Sequence, residues 1–247
     1  SLNSRQYIRI RCTCQESKHS YLSAHLTQAP QVSLCPVSGS GCIAVSLKKL
    51  GGYTCVEGAD ISEEALKVAK RNSEEILENS DVNNDAVSSR TEQIQNCTNL
   101  TNNQNKQDNS EERMVSEVRR GSQTGVTFRH SDMFSSFRET EQFNVIVSNP
   151  PYIPSAVIEE LEPEVRDHEP RGALDGTADG LYFYRILAEE CAKHLTPGGY
   201  VYFEIGYDQG AAVKELLDIH GFKDTRVIQD LTGKDRVVCG TWQTAGV

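Results

Sequence analysis

The sequence predicts a doubly wound α/β fold: a mostly parallel twisted sheet with helices on both faces, ending in a hairpin that adds one antiparallel edge strand. Three observations carry this. Short apolar runs alternate with stretches of helical spacing, the pattern of strand–helix–strand crossovers. A glycine turn, Gly39-Ser40-Gly41, stands where a first strand hands over to a first helix. The last two strand-like runs are joined through Gly233-Lys234-Asp235, a hairpin-like turn.

Residues 1–31 show no sustained period and form an unassigned leader, expected to be a truncated or irregular N-terminal segment. Residues 32–37 read as a strand running into the glycine turn, and residues 42–50 as a helix closed by Gly51-Gly52. A second strand begins at Thr54-Cys55-Val56 and ends at Asp60. Ser62 is a good N-cap for the next helix, with Glu63 and Glu64 in its first turn, where the helix dipole favours them. Ala65, Leu66 and Ala69 form its inward stripe.

At about residues 77–123 the composition changes, with nine asparagines, from Asn79 to Asn109, in a segment almost free of aromatics. Its burial cannot offset the entropy of ordering it, so a solvated, low-complexity loop is expected, interrupting one domain that spans residues 32–247. Regular structure resumes with a strand at residues 126–128 and a nearly continuous apolar run at 143–147, the kind found in the middle of a parallel sheet. A helix at 181–195 is stopped by Thr196-Pro197-Gly198-Gly199; then come a strand at 200–205, a helix at 211–217, and strands at 222–228 and 236–242.

The net charge of −10 works against a large nucleic-acid footprint, because phosphate binding needs clustered Lys and Arg, and no sequence-specific contact with nucleic acid is expected. Eight cysteines with no CxxC pair read as free thiols in a reducing compartment. Cys12, Cys14, His19 and His25 fit no common zinc spacing, so no metal is expected. No run of 18 apolar residues and no signal-peptide core are present, which predicts a cytoplasmic protein without membrane partners.

Ligand should lie outside the carboxyl ends of the strands. In the glycine turn, missing side chains let backbone approach a ligand while helix N–H groups face it. With Ala44 the stretch also fits a G-x-G-x-x-A dinucleotide fingerprint, which keeps a nicotinamide enzyme open. Asp60, 21 residues after Gly39, is placed to accept hydrogen bonds from ribose hydroxyls. A nicotinamide enzyme gives no reason for Asn149-Pro150-Pro151-Tyr152 and has no hydride-transfer residue here. Two prolines after a buried strand remove two N–H donors and leave carbonyls facing the crevice. The Asn149 side-chain oxygen and the Pro150 carbonyl could accept both hydrogens of an NH2 group, with the Tyr152 ring against the planar group that bears it.

Residues 147–154, Val-Ser-Asn-Pro-Pro-Tyr-Ile-Pro, are followed by residues 163–171, Pro-Glu-Val-Arg-Asp-His-Glu-Pro-Arg, and by Ala173-Leu174-Asp175-Gly176. With Asp60-Ile61-Ser62, Asp132-Met133-Phe134, Phe203-Glu204-Ile205-Gly206 and the block from Asp230 to Arg236, this resembles the peptide chain release factor glutamine N5-methyltransferase family. The resemblance covers roughly residues 38–76 and 124–242. It implies a class I, Rossmann-like methyltransferase with a seven-stranded sheet, S-adenosylmethionine as cofactor, and the glutamine of a release factor's Gly-Gly-Gln loop as substrate. By the same resemblance Val37, Ser38, Gly39, Ser40 and Gly41 cradle the methionine part, Asp60 the ribose and Met133 the adenine. Asp132 and Asn149 complete the donor-contacting set, and residues 149–152 hold the glutamine, with Asn149, Pro150 and Tyr152 as the catalytic group. Cys35 stands where the family has an acidic residue. The family's helical N-terminal domain has no counterpart in residues 1–37, and its pattern has none for the Asn-rich insert. Two alternatives stay open: an adenine-N6 DNA methyltransferase, whose target also presents an NH2 on a planar system, and an impaired remnant that only binds its partner.

Overall fold

The computed structural model describes residues 7–10, 20–23, 32–78 and 125–243. Strands β1 (Tyr7–Ile10) and β2 (Ser20–Ser23) pair antiparallel, Tyr7 opposite Ser23 and Ile10 opposite Ser20. The sequence predicted no element here, because four-residue strands are too short to establish a period. The main sheet has seven strands, mixed in direction. The chain divides into two compact units, Ala24–Phe137, and Ser1–Ser23 with Arg138–Val247.

In the unit Ala24–Phe137, β3 (Val32–Cys35) leads to α1 (Cys42–Gly51), β4 (Cys55–Asp60), α2 (Glu63–Glu78) and β5 (Val126–His130). The strands are parallel in the order β5-β4-β3, with Val32 paired to Cys55 and Val56 to Val126. β3 stops at Cys35 because Pro36 follows, and a proline can neither donate to the ladder nor let its predecessor turn helical. α2 starts where the cap predicts, the Ala65 N–H donating to Ser62 Oγ at 3.2 Å. It buries Leu66, Ala69, Ser73 and Leu77, one stripe at helical spacing. The helix runs to Glu78; the rest of the Asn-rich segment lies outside the described residues, as do Cys12, Cys14, His19 and His25.

In the other unit, β6 (Phe143–Ser148) is followed by a 3-10 turn (Ile158–Glu160), short helices α3 (Pro163–Arg166) and α4 (Arg171–Leu174), and the longer α5 (Tyr182–His194). Then come β7 (Leu195–Glu204), α6 (Gly210–Ile219), β8 (Lys223–Gln229) and β9 (Asp235–Thr241). α5 buries Tyr184, Leu187, Ala188 and Cys191, a stripe that explains its strong sequence signal; burying a large apolar side chain of this kind is worth roughly 1.5–3 kcal/mol.

Three expectations are corrected. The Thr196-Pro197-Gly198-Gly199 turn lies inside β7, which begins at Leu195 opposite Phe143 and resumes with Tyr200 opposite Val145. Gly198 and Gly199 exchange hydrogen bonds with Trp242, and this pairing carries the strand across the turn. The antiparallel strand, β9, is not the edge: it sits between β7 and β8, pairing with both. Residues 236–240 of β9 are all buried, whereas β8 carries Lys223, Asp224 and Arg226 exposed, so the polar strand takes the edge. Finally, among the described residues Cys35, Cys42, Cys191 and Cys239 form no disulfide, but Cys55 is disulfide-bonded.

Among the described residues no helix is long and apolar enough to cross a membrane.

Candidate functional site

The residues singled out in the sequence fall into two sets, each at the carboxyl ends of strands. In the unit Ala24–Phe137 the chain leaves β3 at Cys35 and folds back on β4. The Ser38 N–H donates to Ala59 O at 2.8 Å, and the Gly41 N–H to Ser38 O at 2.9 Å. Gly39 and Gly41 have φ of 52° and 77°, a region L-residues enter only at a cost. Gly41 is doubly required, since a Cβ there would lie 2.8 Å from that of Ala69 on α2. A Cβ on Gly39 would meet nothing within 4 Å. Ser40 is exposed, Val37 half-buried, and the first turn of α1 carries neither a side-chain cap nor an acid. The positive end of the α1 dipole therefore faces no competing acid of its own first turn.

Asp60, 8% exposed, ties this turn to α2: one carboxylate oxygen accepts the Gly39 N–H at 2.8 Å and the other the Ser62 N–H at 2.9 Å. Each oxygen still has a lone pair for a further donor. The Asp60 carbonyl accepts the Ser131 N–H at 3.0 Å, and Ser131 Oγ donates to Met133 O at 2.9 Å, so Asp60 and Met133 are held by one chain of bonds. Met133 is buried with φ of 49°, and Asp132 beside it is exposed. A non-glycine residue held there costs about 1–3 kcal/mol, and such strain clusters at ligand sites. Under the turn, burial, reinforced by the charge of Asp60, pushes the Cys35 thiol up to about 12, so it stays neutral.

In the other unit β6 delivers Ser148, fully buried, then Asn149, half-buried, Pro150 and Pro151, both buried, and Tyr152, half-buried. Among the described residues no hydrogen bond engages the Asn149 side chain or the Pro150 carbonyl. The chain just beyond is clasped. The Ile153 N–H donates to Leu174 O at 3.0 Å, the Gly176 N–H to Ile153 O at 2.8 Å, and the Ser155 N–H to Thr177 O at 2.9 Å. Asp175 accepts Ser155 Oγ at 2.6 Å and the Thr177 N–H at 2.9 Å, with Arg171 Nε 3.4 Å from its other oxygen. These partners, led by the Ser155 hydroxyl, hold the Asp175 carboxyl below its ordinary value. Tyr184 OH donates to Glu204 O at 2.6 Å, and burial raises the Tyr184 phenol well above its usual range.

The structure thus brings residues 37–41, Asp60, Asp132 and Met133 together in one unit and residues 149–152 together in the other. Sequence reasoning missed the clasp formed by Ser155, Asp175 and Thr177, and Gln209 at the start of α6. The second had a signal: a glutamine where a helix N-cap usually carries Ser, Thr, Asp or Asn.

Residues 54–205, more than half of the chain, match a family model described as Eco57I restriction-modification methylase. A protein of Geobacter sulfurreducens called release factor glutamine methyltransferase is 35% identical over 202 residues, 82% of this chain and 55% of its own length. One of the same name from Caulobacter vibrioides is 54% identical over 101 residues, 41% of this chain and 35% of its own. The chain spans about half the length, or less, of these curated relatives. Among solved structures, a methyltransferase from Pyrococcus furiosus superposes with a TM-score of 0.51 at 19% identity, covering 86% of this chain and 75% of that one. That likeness bears on the fold alone, a class I methyltransferase sheet.

Proposed function

We infer that this chain, which belongs to the methylase family matched over residues 54–205 and to the release factor glutamine methyltransferase family, transfers a methyl group from S-adenosylmethionine to the side-chain amide nitrogen of a glutamine. The substrate is the glutamine of the Gly-Gly-Gln loop of a peptide chain release factor, met in the cytoplasm. The single observation that carries the reading is the pair of oxygens at the end of β6, the Asn149 side-chain carbonyl and the Pro150 carbonyl, left without partners among the described residues on a loop that is otherwise tied down.

The chemistry follows from the amide. Its nitrogen is a poor nucleophile, because the lone pair is delocalised into the carbonyl. Acceptors that hold both hydrogens turn that lone pair toward the incoming methyl group, and the Tyr152 ring keeps the amide plane fixed. The nitrogen–carbon bond forms as the carbon–sulfur bond breaks, the bonding pair going to sulfur and leaving S-adenosylhomocysteine. The nitrogen then gives up its proton to solvent. Positive charge growing on nitrogen is stabilised by the same two oxygens, and removing one such preorganised group typically costs about 10²–10³ in rate.

The donor-side residues are chemically suited to their part. Residues 37–41 offer open backbone and an uncapped helix start to the methionine carboxylate, Asp60 keeps lone pairs for ribose hydroxyls, and the turn at Asp132 and Met133 offers an apolar side chain to the adenine.

A second reading has one observation in its favour, the name of the matched family, a restriction-modification methylase. An adenine N6 amino group would suit the same pair of acceptors, but a flipped base needs a surface that grips a duplex, and a net charge of −10 opposes one. Transfer of labelled methyl from S-adenosylmethionine separates the readings. Label is expected on a release factor, and none on its Gln-to-Ala variant or on duplex DNA. Label on both release factors would remove the glutamine assignment, and label on DNA alone would establish the second reading. No donor binding by calorimetry, with no transfer to either, would point to a module that only binds its partner.

A further inference from the structure

We propose that Gln209 is a positioning residue for the acceptor loop, holding the backbone of Tyr152 in register from the start of α6. The inference rests on the function proposed above. Gln209 is 8% exposed and occupies the N-cap of α6, yet its side chain does not cap that helix. It turns back instead. Oε1 accepts the Gly206 N–H at 3.0 Å, and Nε2 donates to Tyr152 O at 2.9 Å and to Gly180 O at 3.3 Å. Both amide hydrogens and the amide oxygen are thus spent on backbone groups, one of them 57 residues away.

Two glycines shape the other side of this contact. A Cβ on Gly180 would lie 2.3 Å from Tyr152 O and 2.6 Å from Gln209 Nε2, and a Cβ on Gly176 would lie 2.7 Å from the Tyr152 Cα. The backbone of Tyr152 is therefore pressed against bare backbone and pinned there by a buried amide. Its carbonyl is one residue past the two prolines, so any slip at Gln209 reaches the Tyr152 ring and the Pro150 oxygen directly. A displacement of about 1 Å in such a constellation costs around 10²-fold in rate.

Gln209→Met keeps length and volume and removes all three bonds. The expected result is a kcat about 10- to 100-fold lower, with KM for the release factor and donor affinity unchanged. In the absence of substrate, hydrogen exchange at the Tyr152, Ile153 and Ser155 amides should quicken while the β8–β9 ladder keeps its protection. Gln209→Glu gives a second handle. Protonated, the carboxyl can still donate to Tyr152 O and accept from Gly206 N; ionised, it faces two carbonyls with Asp208 and Asp235 close by. The ratio of its kcat to that of the native protein should fall as pH rises, a step that a lost helix cap would not produce. A Gln209→Met protein that merely melts earlier, with native kcat per folded molecule and native exchange at residues 152–155, overturns the proposal, as does a Gln209→Glu ratio independent of pH. If the native protein labels no release factor while Gln209→Met still loosens residues 152–155, the glutamine reading fails and the positioning role stands.

Discussion

The turn at residues 37–41 and the loop at residues 149–152 both close a parallel strand, but they are held in shape by different means. The first is local. Two glycines take φ values that other residues avoid, and one carboxylate, Asp60, receives N–H groups from the turn and from the start of α2. The second contains no positive φ and draws its rigidity from more partners: from residues 174–177, through the bond of Ser155 to Asp175, and from Gln209, 57 residues from Tyr152. A turn made mainly by backbone conformation can serve many nucleotide-like ligands, and its sequence also fits a dinucleotide fingerprint. A loop fixed by remote partners presents one arrangement of acceptors, and suits one shape of guest. Function-specific information is concentrated in the loop, and sensitivity to distant substitutions with it.

Substitutions can test that contrast. The largest effect is expected at Asn149→Ala, which removes one of the two open acceptors: methyl transfer should drop about 10²–10³-fold while donor affinity in calorimetry is retained. A parallel loss of donor affinity would mean that the two regions do not divide the work as described. Gly41→Ala strikes the other region through the backbone. It forces an L-residue to positive φ and drives a methyl group against Ala69, costing about 1–3 kcal/mol for the backbone alone, read as a lower midpoint of thermal unfolding. An unchanged midpoint would remove the argument that this turn is held by glycine conformation. Asp60→Asn keeps the shape but weakens two charge-assisted bonds, each worth about 1.5–3 kcal/mol to a charged partner, so donor affinity should fall with kcat at saturating donor preserved.

The smallest effect is one of pH. Because the folded-state value of Asp175 lies below the ordinary 3.8, its contribution to the clasp is complete above that value and lost as pH falls through the lower, folded one. The Thr177 amide resonance should therefore titrate below pH 3.8; titration at the ordinary value would show that the Ser155 and Thr177 bonds do not bind the carboxylate.

Elements whose burial repeats along the chain were legible in the sequence. The stripe of α5, the unbroken apolar run of β6 and the Ser62 cap of α2 each express a local period or a local bond. What was illegible depends on partners. Nothing in the sequence near β9 says that it enters between β7 and β8, and the strand identity of Leu195 comes from Phe143 across the ladder. The same divide runs through the candidate site. Asn149-Pro150-Pro151-Tyr152 and the glycine turn announce themselves by composition, whereas the Asp175 clasp is made of polar residues joined to the loop only by folding, and Gln209 carries no more than the faint signal of a glutamine at a helix N-cap. Asp60 shows both sides: its place at the end of β4 was legible, its two backbone partners were not.

The central claim is that a planar amide is gripped by the Asn149 side-chain oxygen and the Pro150 carbonyl. A structure of the protein with S-adenosylhomocysteine and a Gly-Gly-Gln peptide tests it most directly. The glutamine NH2 is expected at hydrogen-bonding distance, about 2.7–3.2 Å, from both oxygens, with the Tyr152 ring along the amide plane. An Asn149 side chain turned away from the peptide, or a glutamine bound with its NH2 in solvent, would contradict it.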